Sequence, residues 1–163
     1  MKQSLILAQR PATPDDEAFL FEVYASTRAN EMSAVTWDAE QKVDFLHTEF
    51  LEQNTFFQAR FPDGQYDVLM QDGVRAGRLY VDYREDELWI LDISLLPKYC
   101  GKGIGSRVIG ALMRHAREED LVIRLHVEHF NRAYHLWRRL GFSQIQNDGM
   151  YLLMEWNPNN VYA

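Results

Sequence analysis

Apolar and polar positions recur along this chain in two rhythms, and the switches between them lay out its elements. Ser4 to Gln9 reads as a first strand. Thr13-Pro14-Asp15-Asp16 then combines a capping Thr, a first-turn Pro and an acidic third position. A helix is expected to begin there and to run to about Arg28, with Phe19, Leu20, Val23 and Tyr24 as its apolar stripe. Asp38 with Gln41 repeats the capping pattern, and Ala39, Val43, Leu46 and Phe50 continue at helical spacing. Such a stripe is ordinarily core, while Trp37 and Phe45 add aromatic surface beside it.

The rhythm then shortens to period two. Pro62-Asp63-Gly64 and Asp72-Gly73 are turn signals around Tyr66 to Met70, and the second joins that strand to Val74 to Tyr83 as a hairpin. The acidic turn Arg84 to Glu87, read as solvated, leads into a fourth strand, Leu88 to Leu96. Ile104, Val108, Ile109, Leu112 and Met113 restore helical spacing to about Glu118, and the β-branched run Val122 to Val127 reads as a buried strand. Strand, helix, strand implies parallel pairing. Ala133, Leu136, Trp137 and Leu140 form one face of a short helix that Gly141 ends. Phe142 opens a strand, and Asn147-Asp148-Gly149 turns the chain into Met150 to Trp156. The expected class is mixed α/β of the α+β kind, a mixed and mostly antiparallel sheet with about four helices, in one domain over residues 1–163.

The stretch from Leu95 to Ser106 joins the fourth strand to the third helix through Gly101, Gly103 and Gly105. The first backbone N–H groups of a helix have no intrahelical partner, and these glycines put no Cβ in the way of a ligand. An anion site results, with phosphate its foremost ligand. A Walker loop needs a Lys between its last Gly and the Ser, but Ser106 follows Gly105 directly. The dinucleotide fingerprint fails as well, since Gly101 and Gly103 lead to Ser106, while Gly103 and Gly105 lead to Val108. The segment Cys100-Gly101-Lys102-Gly103-Ile104-Gly105 resembles the pyrophosphate loop of the GNAT superfamily of acyl-CoA-dependent N-acetyltransferases, Arg/Gln-x-x-Gly-x-Gly/Ala, with a departure at its first position. A second block from Asn131 to Phe142 is similar to the family's Asn-x-Ala-x-x-Leu-Tyr-x-x-Leu-Gly-Phe segment. With the element order, the resemblance covers nearly the whole chain.

The resemblance implies acetyl-CoA as co-substrate, without a metal, in the opening between the fourth and fifth strands. Its pyrophosphate falls on amides of Gly101, Lys102, Gly103, Ile104, Gly105 and Ser106, and its pantetheine pairs with the backbone of Ile93 to Leu95 as an added strand would. Backbone N–H groups near Leu95 are the candidates to polarise the thioester carbonyl. Asn131 corresponds to the family's cofactor-contacting Asn and also reads as a helix N-cap. Trp137 stands where the family often carries a Tyr that protonates the leaving thiolate. An indole N–H donates a hydrogen bond but does not usefully release its proton, so Tyr134, one turn earlier, is the substitute.

The proton acceptor is less defined. The family's strand-four base positions fall on Trp89 and Leu91, which accept no proton. Asp92 is expected on the opposite face by alternation unless a bulge re-aims it. His126, Glu128 and His129, near the end of the fifth strand, are the candidate bases, directly or through water. Cys100, near a helix N-terminus, raises a covalent acyl route that direct transfer makes unnecessary. Tyr24, Arg28, Glu31, Trp37 and Tyr151 are nominated for the acceptor site, Arg28 toward a carboxylate and Glu31 toward an amine.

Composition narrows these expectations. In 163 residues of 47% hydrophobic content one substantial core is expected. A formal charge of −7 argues against a general nucleic-acid or anionic-membrane binder and suits an amine acceptor. One Cys forms no internal disulfide, and no apolar run reaches the roughly 20 residues of a membrane span. The N-terminal apolar run is too short for a signal peptide, so the expected compartment is the cytoplasm. The expected activity is acetyl transfer to a primary amine, on a small molecule or a protein, by direct attack in a ternary complex. The alternatives are a non-catalytic acyl-CoA-binding or sensing module and, more weakly, a nucleotide-binding regulatory domain. A homodimer is left open.

Overall fold

A computed structural model describes residues 7–129 and 131–160. In chain order the elements are β1 (Leu7–Pro11), α1 (Glu17–Thr27), α2 (Ala29–Ser33), α3 (Ala39–Arg60), β2 (Gln65–Gln71), β3 (Val74–Tyr83), β4 (Glu87–Leu95), α4 (Ile104–Glu119), β5 (Val122–Glu128), α5 (Ala133–Arg139), β6 (Ser143–Asn147) and β7 (Tyr151–Trp156). The strand order is β1-β2-β3-β4-β5-β7-β6. The β1–β2, β5–β7 and β6–β7 pairs are antiparallel and the β4–β5 pair is parallel. This is the mixed, mostly antiparallel sheet expected. Ser4 to Ile6 of the expected first strand lie outside the described residues.

The helix count differs by one, because α1 ends at Thr27, near the expected end at about Arg28, and a further short helix, α2, follows it. Ser26 and Thr27 turn their hydroxyls back onto the carbonyls of Val23 and Tyr24, at 2.7 Å each, which competes with helix continuation. Arg28 then leaves helical geometry (φ −106°, ψ 5°), and the chain resumes as α2. The Thr13 to Asp16 cap opens a 3-10 turn, Pro14–Asp16, rather than α1 itself. The Asp38–Gln41 cap forms as expected, with Gln41 N donating to Asp38 Oδ1 at 2.8 Å and Asp38 N to Gln41 Oε1 at 3.1 Å.

The chain falls into two compact units. The first comprises Met1–Tyr80 with Asp92–Gly105. Its core joins Phe19, Leu20, Val23 and Tyr24 of α1, Leu46 and Phe50 of α3, and Val68 of β2. The β2–β3 turn is Asp72-Gly73, both at positive φ (51° and 82°), the geometry a two-residue hairpin demands. Between β3 and β4 the count is uneven. Arg84 N bonds Glu87 O, and Leu96 N bonds Ala76 O. From 84 to 76 is eight residues, and from 87 to 96 is nine, so β4 carries one extra residue, a β-bulge. Within the same strand pair Asp92 of β4 meets Arg78 of β3.

The second unit comprises Val81–Leu91 with Ser106–Ala163. Val108, Ile109, Leu112, Met113 and Ala116 of α4 are buried, as are Ile123, Leu125 and Val127 of β5. The α4 stripe is the one the sequence pattern predicts, whereas β5, expected as a buried strand, buries only alternate residues and leaves His126 exposed. The β4–β5 ladder pairs Glu87–Trp89 with Val122–Arg124. Gly141 ends α5 at φ 100°, with Phe142 N bonded to Trp137 O and Gly141 N to Arg138 O.

Candidate functional site

In the first unit β4 runs out through Ile93, Ser94 and Leu95, all half-buried, beyond Trp89, the last β4 residue paired with β5. The chain tightens into a 3-10 turn, Pro97–Tyr99, and opens again at Cys100. The Cys100 thiol donates weakly to the carbonyls of Leu95 and Leu96, each at 3.6 Å, and so ties the loop's first residue to the strand it leaves. Gly101 and Gly103 lie at φ 74° and 81°, which L side chains rarely adopt. Gly105 needs no such conformation. A Cβ at any of the three would meet nothing within 4 Å, so the space over the loop and the first turn of α4 is open. Ile104 anchors the helix from beneath, 1% exposed, while Gly101, Lys102 and Gly103 are exposed. The result is a run of backbone groups with clear approach at a helix N-terminus, chemically fitted to an anionic oxygen cluster such as a pyrophosphate. Ser106, exposed, begins the second unit.

Also in the first unit, and unforeseen from the sequence, Arg78 of β3 is 1% exposed. Its Nε donates to Asp92 Oδ2 at 2.7 Å and its Nη2 to Gln53 Oε1 at 2.9 Å, and the guanidinium lies over the rings of Tyr80 and Tyr24 (4.7 and 5.9 Å). Burial works against its charge, but Asp92 outweighs that and raises the pKa. Ser94 Oγ donates to the same Asp92 Oδ2 at 2.8 Å. A lone Arg in the apolar run of β3 and a lone Asp in that of β4 was the available signal.

The nominated acceptor residues of this unit pair with one another. Arg28 contacts Glu31 (2.8 Å), Glu49 (3.2 Å) and the Tyr24 hydroxyl (3.1 Å), and the Tyr24 hydroxyl donates to Glu49 Oε2 at 3.0 Å. Arg28 and Glu31 are thus ion-paired with each other, and Arg28 with Glu49 as well. Burial first, then the Glu49 hydrogen bond, push the Tyr24 phenol up to about 12. Trp37 is 43% exposed and meets Phe45 edge-on at 5.3 Å.

In the second unit His126 is exposed and stacked on Trp89 at 5.4 Å, with the Tyr151 ring 6.5 Å away. The Trp89 indole donates to Glu87 Oε2 at 2.8 Å, and Arg124 bridges Glu87 to Glu155. Glu128 is exposed, and its carbonyl accepts from Asn131 N. His129 Nε2 lies 3.4 Å from Asn147 Nδ2. Asn131 Oδ1 accepts from Ala133 N at 2.9 Å, so the side chain starts α5 as a cap. Tyr134 is half-buried, its ring 5.5 Å from His135. Trp137 is 6% exposed and packs edge-on against Phe142 at 5.1 Å, inside the unit's core. Among the described residues no helix is long and apolar enough to cross a membrane, and no group of three His, Cys, Asp or Glu side chains is gathered to hold a metal.

The sequence model of the acetyltransferase (GNAT) family matches residues 29–142. No curated protein sequence matches the chain. Among solved structures, the PaiA N-acetyltransferase of Thermoplasma acidophilum in complex with coenzyme A is similar at 18% identity and a TM-score of 0.68, over 93% of this chain and 99% of that one. The ribosomal-protein-S18-alanine N-acetyltransferase of Escherichia coli is similar at 17% identity and 0.64, over 97% and 100%. Naa50 of Arabidopsis thaliana, in complex with the bisubstrate analogue CoA-Ac-MVNAL, is similar at 13% identity and 0.56, over 93% and 98%. At these identities the likeness is one of fold.

Proposed function

The chain belongs to the acetyltransferase (GNAT) family, and from that premise we propose that it is a single-domain enzyme moving an acetyl group from acetyl-CoA to a primary amine by direct attack. The observation that carries this reading is the loop of Gly101, Gly103 and Gly105, open above the first turn of α4. Its amides, with the Lys102 ammonium beside them, take the pyrophosphate. The backbone of Ile93 to Leu95, past the last residue paired with β5, takes the pantetheine as an added strand, and the Leu95 N–H polarises the thioester carbonyl. The family resemblance assigns Asn131 and Trp137 to cofactor contact and Tyr134 to protonation of the thiolate. Asn131 keeps its amide N–H2 for that purpose while its oxygen caps α5. CoA-containing structures of similar fold, one of them with a peptide-like acceptor portion in its analogue, support a CoA thioester and an amine acceptor as the substrate classes.

Parallel calorimetric titrations with acetyl-CoA, CoA, ATP and NAD test the reading. Saturable binding confined to the two CoA species supports it, and preference for ATP or NAD overturns it. A non-catalytic acyl-CoA-binding module is the second reading, favoured by the core position of Trp137 where the family often carries a phenol. Thiol release from acetyl-CoA with a panel of amines separates the two.

A further inference from the structure

We propose that Arg132 and Arg139, on the outer face of α5, form a phosphomonoester site that takes the 3′-phosphate of CoA; the inference rests on the acetyl-CoA reading above. Charge sets the problem. A chain of formal charge −7 that binds a polyanion must concentrate positive charge locally. The pyrophosphate is assigned to the loop amides and Lys102. That leaves the 3′-phosphate, a monoester carrying about −1.5 to −2 at neutral pH, without a partner.

Many of the cations elsewhere are already engaged. Arg10, Arg28, Arg75, Arg78, Arg84 and Arg124 are each ion-paired with a carboxylate. Lys98 lies over the Tyr99 ring and Arg117 over the Trp156 ring, each at 5.0 Å. The region of α5 is different. Between Glu128 and Asp148 the sequence has no acidic residue, yet it carries Arg132, Arg138 and Arg139. All three are exposed, and among the described residues none is ion-paired or hydrogen-bonded through its side chain.

Helical spacing selects two of the three. Arg132 is the N-cap of α5 and already has helical backbone (φ −58°, ψ −25°). Residues three and seven positions on from it share its face, so Arg132, His135 and Arg139 make one outer stripe, with buried Trp137 turned the opposite way. Arg138 falls on another flank, in line with Tyr134 four residues earlier. The backbones of Arg132 and Arg139 are about 10 Å apart along the axis. Two extended arginine side chains close that span over one phosphate, and each presents a fork of N–H donors matched to its oxygens. With no carboxylate in the stripe, neither has to give up an ion pair to do so. The placement agrees with the cofactor reading: α5 is preceded by Asn131 and contains Trp137, both assigned to CoA, and it packs on β5, which bounds the pantetheine opening in that reading.

Calorimetric titration with CoA and with 3′-dephospho-CoA tests the site. The proteins are wild type, Arg132→Gln, Arg139→Gln, the double variant and Arg138→Gln, the last removing the same charge from another flank. Wild type is expected to prefer CoA by about 10–100-fold, a preference that shrinks as NaCl is raised. Each single substitution on the stripe costs about three- to tenfold for CoA and less than about twofold for 3′-dephospho-CoA. The double variant binds the two ligands within about threefold of each other, and Arg138→Gln keeps the wild-type ratio within about twofold. Replacing both stripe arginines by Lys keeps the charge and discards the fork; this variant retains a reduced preference and serves if the Gln variants do not fold. Equal wild-type affinity for the two ligands, the result if the 3′-phosphate is left in solvent, overturns the inference and leaves the loop reading standing. So does a preference that survives in the double variant, or a loss shared equally by both ligands. Failure of wild type to bind either ligand overturns the cofactor reading itself, and the inference with it.

Discussion

A Cβ placed on Gly77 would lie 2.1 Å from the carbonyl oxygen of Ser94, so β3 passes β4 there at a separation that only glycine permits. The close approach falls within the stretch where β4 carries its extra residue. Gly77→Ala must push the strands apart at backbone atoms, which have no rotamer to yield. The expected destabilisation is about 1–3 kcal/mol. In a chain of this length each kcal/mol lowers Tm by roughly 2–4 °C, so thermal unfolding followed by circular dichroism reads the change. Because Ser94 and Leu95 are the atoms displaced, acetyl-CoA affinity is expected to fall as well. A variant that melts with wild type would mean the strands relax freely at this point.

The three loop glycines separate two demands that a sequence motif leaves merged. Gly103 at φ 81° needs glycine for its backbone, whereas Gly105 sits in α4, where glycine only weakens the helix. Gly105→Leu is therefore expected to match or exceed wild type in stability, by up to about 1 kcal/mol, since its Cβ meets nothing. The same side chain would occupy the space assigned to pyrophosphate, lowering acetyl-CoA affinity at least about tenfold. Gly103→Leu is expected to lose both, with about 1–2 kcal/mol of strain. Calorimetry and thermal melts on the pair distinguish a ligand cradle from a turn that merely needs glycines.

Much of this architecture is legible in the sequence, for reasons that are local. Caps such as Asp38 with Gln41, turns such as Asp72-Gly73, and stripes such as Val108 to Met113 all operate within a few residues, so the chain advertises them. The break at Arg28 is also local, but its cause, two hydroxyls turning back on α1, is invisible to apolar periodicity. Arg78 with Asp92 illustrates what cannot be read. Their sequence separation is 14, and they meet through a strand pairing whose uneven count no composition rule announces. Arg28 is a like case, since its partner Glu49 in α3 stands 21 residues on.

Acid titration gives a third prediction. The Asp16 carboxylate, 2% exposed, accepts hydrogen bonds from Arg10 (2.7 and 2.8 Å), Thr13 N (2.9 Å) and Arg75 (3.2 Å). The Arg10 bonds are foremost in holding its pKa well below the usual carboxylate range, with burial opposing them. The folded protein thus binds fewer protons at Asp16 than the unfolded chain, and stability rises with pH across that interval. The contribution is complete above the unfolded value of about 3.9 and is lost as pH falls from there through the lower folded value. Urea unfolding at a series of acid pH values is expected to show a shallower acid decline for Asp16→Asn than for wild type, together with a lower plateau near neutrality.

The fourth prediction concerns Trp137, which stands where the family often carries a phenol yet lies in the core of its unit, edge-on to Phe142 at 5.1 Å. An indole has a donor but no proton to release, so a catalytic part would have to come through position rather than acidity. Trp137→Ala removes a buried ring and is expected to cost about 3–5 kcal/mol, enough to lower Tm markedly whatever the residue does for the reaction. Trp137→Phe is the informative change. It keeps an aromatic edge against Phe142 and discards only the indole N–H and part of the volume. If packing is the whole role, kcat for thiol release stays within about tenfold of wild type while Tm drops by several degrees. A folded Trp137→Phe protein that binds acetyl-CoA normally but releases no thiol would instead assign the indole N–H to the departing sulfur. Tyr134→Phe, measured beside it, then shows whether the phenol one turn earlier supplies the proton, since its loss should slow release without moving Tm.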